Sequence, residues 1–222
     1  MKRFAILGYP LGHTLSPKLH RLLAEQLGEQ IEYSICAIPP EELEEHFEEL
    51  FCMDGFNITI PYKVRLMEQL DRLDTSARNH GAVNVVSIAA DGKRCGYNTD
   101  CIGFVRTMQS HGVLISGRVC VLGAGGVGRM FATECALRGC AVTLAVRAAS
   151  MKAAEQVAAH IRSLDAQAQV EVMDIEQLDG SQAYELMINA TPVGMYPNVQ
   201  HSPVDEQALR SVKTLFDCIY NP

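Results

Sequence analysis

From residue 119 onward the chain alternates short apolar runs with longer amphipathic stretches. Strand-like residues 119–122, 141–146 and 170–173 are separated by helix-like residues 127–138 and 150–163. Parallel strands cannot be joined by a tight turn and need a crossover of this length, so the alternation predicts an α/β fold with a parallel sheet. Further strand-like runs at 186–189 and 215–219 extend that sheet, while Pro192, Pro197 and Pro203 keep the intervening segment in loops. The arrangement is that of a mononucleotide-binding half-fold.

The first half alternates too. Residues 3–7 read as a strand, and Ser16-Pro17 opens a helix with Leu19, Leu22, Leu23 and Leu27 on one face until Gly28 stops it. A strand over 31–38, a helix over 41–51 and a strand over 56–60 ended by Pro61 follow. Residues 82–97 differ, because two strand-like runs flank Asp91-Gly92, a hairpin turn signal, and add an antiparallel pair to the first sheet. A helical pattern (Ile102, Val105, Met108) then runs from Asp100 to Gly112. We place the domain boundary near residue 101. This gives an N-terminal α/β domain over 1–101 with a mostly parallel sheet and a C-terminal Rossmann-like domain over 102–222.

Composition narrows the function classes. With 222 residues, 48% hydrophobic and 20% charged, the chain is ordinary globular protein and neither a disordered tail nor a coiled coil. A formal net charge of −7 with scattered Lys and Arg argues against a nucleic-acid partner. The clearest acidic run, residues 41–49, carries Leu43 and Phe47 at helical spacing and reads as one solvated helix face. No apolar run approaches the ~18 residues of a membrane span, and Met1-Lys2-Arg3 precedes a buried strand rather than a signal peptide. The eight cysteines contain no Cys-x-x-Cys pair and fit neither a zinc ribbon nor a disulfide scaffold, so reduced thiols in a cytoplasm are expected, with no metal.

Gly123-Ala124-Gly125-Gly126-Val127-Gly128 fits Gly-x-Gly-x-x-Gly where a strand meets a helix. Bare glycines let the backbone turn tightly and approach a pyrophosphate, which the helix N-terminus favours. The next strand should end beside the adenine ribose, where an acidic residue would bind the 2′-hydroxyl of NAD. Arg147 stands there instead, and a guanidinium accepts a 2′-phosphate, so NADP is expected over NAD. An ordinary surface arginine is the plainer reading of the same residue.

Small polar residues gather at the predicted strand ends of the first half: Thr14, Ser16, Asn57, Thr59, Lys63, Asn84, Asn98, Thr99 and Asp100. Hydroxyls and amides suit a small polyhydroxylated ligand, since each ligand hydroxyl needs a donor and an acceptor. A ketone that accepts a hydride develops negative charge on oxygen, which the Lys63 ammonium could stabilise and protonate, with Asp100 orienting it. Each residue also has a plainer use: Ser16 as a helix cap, Asn98 as a turn residue, Asp100 as an N-cap ahead of Ile102, and Lys63 as a surface lysine.

Taken together the motifs resemble the shikimate dehydrogenase family and its quinate/shikimate relatives. The match is carried in order by Gly8-Tyr9-Pro10-Leu11-Gly12-His13-Thr14-Leu15-Ser16-Pro17 with His20, Gly55-Phe56-Asn57-Ile58-Thr59-Ile60-Pro61-Tyr62-Lys63, and Gly81-Ala82-Val83-Asn84. Then come Gly96-Tyr97-Asn98-Thr99-Asp100-Cys101-Ile102-Gly103-Phe104, the glycine loop, Asn189-Ala190-Thr191-Pro192-Val193-Gly194-Met195, and Asp217-Cys218-Ile219-Tyr220-Asn221-Pro222. The resemblance implies NADPH-dependent reduction of 3-dehydroshikimate to shikimate in aromatic amino-acid and chorismate biosynthesis, in a cleft between two α/β domains, by a monomer or homodimer. It implies Lys63 and Asp100 as the catalytic pair and Thr14, Ser16, Thr59, Asn84 and Tyr220 as substrate ligands. Gly123, Ala124, Gly125, Gly126, Val127, Arg147, Thr191 and Cys218 would line the cofactor site.

Some features depart from the family. Thr14 stands where Ser is usual and adds a methyl group, which could shift preference toward quinate. Of the family's Asn-Arg-Thr only Arg147 remains, in Val146-Arg147-Ala148, so the preference for NADP rests on fewer groups. The family continues past Asn221-Pro222 through helices that return to the first domain, and without them that domain should expose an apolar surface. A quinate/shikimate dehydrogenase using NAD and a non-catalytic nucleotide-binding module are the rival readings.

Overall fold

The computed structural model describes residues 1–12 and 14–219. Two units form, Met1–Asp100 and Cys101–Pro222, each with its own sheet and core.

In the first unit the strand order is β2-β1-β3-β5-β6-β4, with β1 (Lys2–Gly8), β2 (Ile31–Ala37), β3 (Gly55–Ile58), β4 (Arg72–Leu73), β5 (Val85–Ile88) and β6 (Arg94–Tyr97). β1 pairs in parallel with β2 and β3, and the β5-β6 hairpin about Gly92 adds antiparallel strands beside β3. Alternation along each strand separates two faces. Ala5, Leu7, Phe56, Ile58 and Val86 point into a core closed by Leu43, Leu50, Tyr62 and Leu66. The opposite face, with Ile6 and Tyr33, lies under α1 (Ser16–Gln26).

Leu15, Leu19, Leu22, Leu23 and Leu27 line the outward side of α1 and its flanks and are all at least half exposed, with Ile35 beside them on β2. The first unit therefore carries an exposed apolar patch along α1.

Some elements differ from the sequence-based expectation. Residues 41–51 do not form one helix: Leu43–His46 is a 3-10 turn and only α2 (Phe47–Phe51) is α-helical. Glu44/Glu48 and Glu45/Glu49 would stack like charges four residues apart, which an α-helix disfavours. The acidic side chains still face solvent while Leu43 and Leu50 are buried. Lys63 lies in a turn, and β4 and α3 (Thr75–His80) were not anticipated.

The second unit is a parallel sheet of order β11-β10-β7-β8-β9: β7 (Arg118–Leu122), β8 (Ala141–Val146), β9 (Val170–Asp174), β10 (Leu186–Asn189) and β11 (Leu215–Asp217). The helices α4 (Asp100–Ser110), α5 (Gly126–Leu137) and α6 (Met151–Leu164) pack with it, and a short α7 (Glu206–Leu209) follows the proline loops. Starting at β7 and going outward in both directions gives the strand order of a dinucleotide-binding half. Phe104, Phe131 and Phe216 meet edge to face at 4.7–5.7 Å between ring centroids, tying α4, α5 and β11 together.

All eight cysteines are free thiols, and burial pushes Cys120 up to about 12 and raises Cys135 further, so neither is a nucleophile at neutral pH. No helix among the described residues is long and apolar enough to cross a membrane.

Candidate active site

Two groups of polar residues emerge, one in each unit. In the first, Lys63 Nζ donates to Asp100 Oδ2 at 2.6 Å, and Asn84 Nδ2 donates to Asp100 Oδ1 at 2.7 Å. The carboxylate is thus held at both oxygens, though Asp100 and Lys63 side chains remain 41% and 28% exposed. Backbone bonds fix the frame: Val83 N–H to Lys63 O at 2.8 Å, Asn84 N–H to Tyr97 O at 2.9 Å and Ile58 N–H to Asn84 O at 2.8 Å.

Asp100 does not cap α4, which begins at Asp100 itself, and its carboxylate faces Lys63 and Asn84. Asn98 is buried and accepts the Asp100 N–H while donating to Ala82 O, so it builds the turn into α4. Ser16 is the first residue of α1 rather than its cap. Thr14 Oγ1 takes the Ser16 N–H at 3.2 Å and donates to Ser16 Oγ at 3.1 Å. Thr14 therefore directs Ser16, whose own hydroxyl hydrogen is left for another acceptor. Asn84 is nearly buried, and its amide hydrogens go to Asp100 and Thr99, which makes it an orienting group for Asp100 as placed. The Thr59 hydroxyl makes no hydrogen bond among the described residues. Tyr220 lies outside them.

In the second unit a cleft of about 1000 Å³ opens beside the glycine loop, with Gly123, Ala124, Gly125, Arg147, Ser150 and Thr191 among its walls. Gly123 sits at φ +98°, where only glycine is at ease, and a Cβ at Gly128 would stand 2.1 Å from Gly123 O. These two glycines are demanded by the fold. Gly125 and Gly126 are different, because a Cβ at either would meet no protein atom within 4 Å. Open space over bare backbone at the start of α5 suits a pyrophosphate, so the residues present fit a dinucleotide.

Arg147 is exposed at the tip of β8, and Thr191 is held by its own hydroxyl bonding Asn189 Oδ1 at 2.7 Å. Gly126, Val127 and Cys218 do not line this cleft. Cys218 is half-buried, and its thiol is pushed up to about 11 by burial and the neighbouring Asp217. Ser150 was missed. A serine ahead of a helix reads as a cap, but here its side chain makes no capping bond and stands on the cleft wall beside Arg147.

Comparison with known proteins settles the family. The family model described as the shikimate dehydrogenase substrate binding domain matches residues 6–86. The shikimate dehydrogenase (NADP(+)) of Bacillus cereus (strain G9842) is 36% identical over 224 residues, covering 99% of this chain and 79% of that protein. The chain belongs to the shikimate dehydrogenase family. Among solved structures, the shikimate 5-dehydrogenase of Thermus thermophilus in complex with NADP(H) and shikimate is similar with a TM-score of 0.86 at 30% identity, covering 100% of this chain and 80% of that one. A quinate dehydrogenase from Corynebacterium glutamicum in complex with NAD is also similar, with a TM-score of 0.84 at 26% identity over 99% of this chain and 80% of that one. Membership in the family gives the two units their common context: a polar group built on Lys63 and Asp100, and a glycine-rich dinucleotide cleft.

Proposed function

We propose that the chain is an NADP-dependent oxidoreductase that interconverts 3-dehydroshikimate and shikimate, a step of aromatic amino-acid biosynthesis. The observation that carries this reading is the 2.6 Å Lys63–Asp100 pair, steadied on its other oxygen by Asn84, in a chain that also builds the glycine cleft. When bound, NADPH supplies the hydride for reduction. Lys63, with one N–H on Asp100 and two remaining, meets the oxygen on which negative charge grows and delivers a proton to it. Asp100 holds the ammonium in place. In the reverse direction the same pair receives the hydroxyl proton of shikimate. Ser16, Thr59 and Tyr220 hold the remaining substrate oxygens, with Thr14 setting Ser16.

Gly123, Ala124, Gly125, Arg147 and Thr191 would hold the cofactor, with Arg147 and Ser150 taking its 2′-phosphate. Arg147→Ala is expected to raise the KM for NADP+ about 10–100-fold, the worth of charge-assisted hydrogen bonds, and to leave the KM for NAD+ nearly unchanged. Equal effects on both would remove the 2′-phosphate role. The enzyme would act in the cytoplasm on a small molecule, as a monomer or homodimer without nucleic acid or metal.

One observation favours a second reading. Thr14 adds a methyl group beside Ser16, and a quinate dehydrogenase is among the similar structures. Initial rates with shikimate and quinate, each with NADP+ and NAD+, test both. A higher kcat/KM for shikimate with NADP+ supports the first reading; a higher value for quinate with NAD+ overturns it.

A further inference from the structure

Beneath α1 lies a cluster that the proposed chemistry does not use. His20 stacks on Tyr33 with ring centroids 4.6 Å apart and 12° between planes, and Tyr33, only 3% exposed, donates its hydroxyl to Asn57 Oδ1 at 2.6 Å. A phenylalanine would fill the same space without carrying a hydroxyl into the interior, where an unpaired one is costly. The Tyr33 hydroxyl therefore has a specific task, and its acceptor shows what it is.

Asn57 lies in β3 between Phe56 and Ile58, both of which point into the core on the far face of the sheet. Strand alternation turns Asn57 the other way, toward the face that α1 covers, and puts Thr59 on that same side two residues on. Its backbone neighbours in register are Ile6 on β1 and Val85 on β5, close to the carboxyl ends of the parallel strands β1 and β3. The loop from β1 delivers Thr14 and Ser16 to the start of α1 above this face. The Asn57 carbonyl oxygen is occupied by Tyr33, the residue is half-buried, and its Nδ2 hydrogens reach no acceptor among the described residues. An amide locked at its oxygen and open at its nitrogen is a fixed pair of donors.

We propose that Tyr33 is a positioning residue that locks the Asn57 amide so that Nδ2 donates to an oxygen of the substrate, alongside Ser16 and Thr59. The proposal rests on the shikimate reading, since a polyhydroxylated carboxylate offers the acceptors this donor needs. Burial, with the Cys36 thiol adding to it, raises the Tyr33 phenol well above its usual range, so the hydroxyl stays a donor throughout neutral pH. Burial also lowers the pKa of His20, so the ring stacked on Tyr33 is neutral there.

The test compares wild type, Tyr33→Phe, Asn57→Ala and the double variant by initial rates of NADPH formation against shikimate concentration at saturating NADP+. Tyr33→Phe keeps the ring and its stack on His20. It is expected to raise the KM for shikimate about tenfold, the loss of one directed hydrogen bond, with the dissociation constant for NADP+ unchanged. Asn57→Ala should do at least as much. The double variant should be no worse than Asn57→Ala, because Tyr33 acts only through Asn57. A KM for Tyr33→Phe within twofold of wild type, or single effects that multiply in the double variant, would overturn the proposal while leaving the shikimate reading intact. A lowered melting temperature with unchanged KM would assign Tyr33 to packing alone. Failure of the wild-type chain to oxidise shikimate would remove the substrate reading and this proposal with it.

Discussion

Lys63→Ala is expected to lower kcat for shikimate oxidation by ~10²–10⁴-fold, the usual worth of a positioned proton-transfer group, while NADP+ binds as tightly as to wild type. The split follows from where the groups sit. Lys63 is held in the first unit by Asp100 and by its backbone bond to Val83, whereas the glycine cleft is built wholly from residues of the second. Removal of the ammonium leaves Asp100 still bonded to Asn84 and partly exposed, so the fold loses little and the chemistry loses its proton carrier. Steady-state rates with a fluorescence titration of NADPH would measure both quantities. A kcat within tenfold of wild type would take Lys63 out of the reaction, and a matching loss of NADPH affinity would mean the variant is damaged more widely.

The two kinds of glycine in the loop lead to the second large effect. At Gly128 an added methyl group would stand 2.1 Å from Gly123 O and 2.8 Å from its carbon. The loop has little freedom to yield, because Gly123 is held at φ +98° and bonds its N–H to Ala145 O at 3.0 Å. Gly128→Ala should therefore cost about 1–3 kcal/mol, as overpacking does, and lower the melting temperature by roughly 3–10 °C. It should weaken NADP+ binding at least about tenfold, because α5 is pushed off the strand it packs on. Gly125→Ala is the contrasting variant. Its φ of −69° suits alanine and its Cβ meets no protein atom, so the melting temperature should hold while NADP+ affinity falls about as far. Equal melting temperatures for the two variants would show that the clash at Gly128 is relieved cheaply. Unchanged affinity in Gly125→Ala would place the pyrophosphate elsewhere.

Legibility varied along the chain for physical reasons. β8 and β10 were read to the residue because both runs are buried on both faces, β8 stopping sharply at Arg147 and β10 closing on the polar Asn189. The segment after Pro61 was opaque because β4 has only two residues, too few for any period, although Asp74 ahead of Thr75 and Ser76 was a cap signal: its carboxylate takes the Ser76 N–H at 2.9 Å. The acidic residues 41–51 kept their apolar spacing but not their helix, since spacing reports burial and not charge repulsion along the axis.

For the site, residue types at strand ends pointed to Lys63, Asn84 and Asp100, yet nothing in a separation of 37 residues says that lysine and aspartate meet. Asn84 as a substrate ligand came from the family resemblance; in the fold its amide hydrogens go to Asp100 and Thr99, a pairing that residue type alone does not announce. Tyr33 gave no signal at all, because a tyrosine in a strand reads as core until its hydroxyl is seen on Asn57.

The proposed function requires that one chain join the Lys63–Asp100 pair to a working dinucleotide cleft. Its most direct test is the stoichiometry of the purified 222-residue chain given shikimate and NADP+, following shikimate loss and ketone gain by NMR alongside NADPH by absorbance. NADPH and 3-dehydroshikimate are expected to appear together, mole for mole, and the reaction to reverse when both products are supplied. Tight binding of both ligands with no conversion in either direction would contradict it.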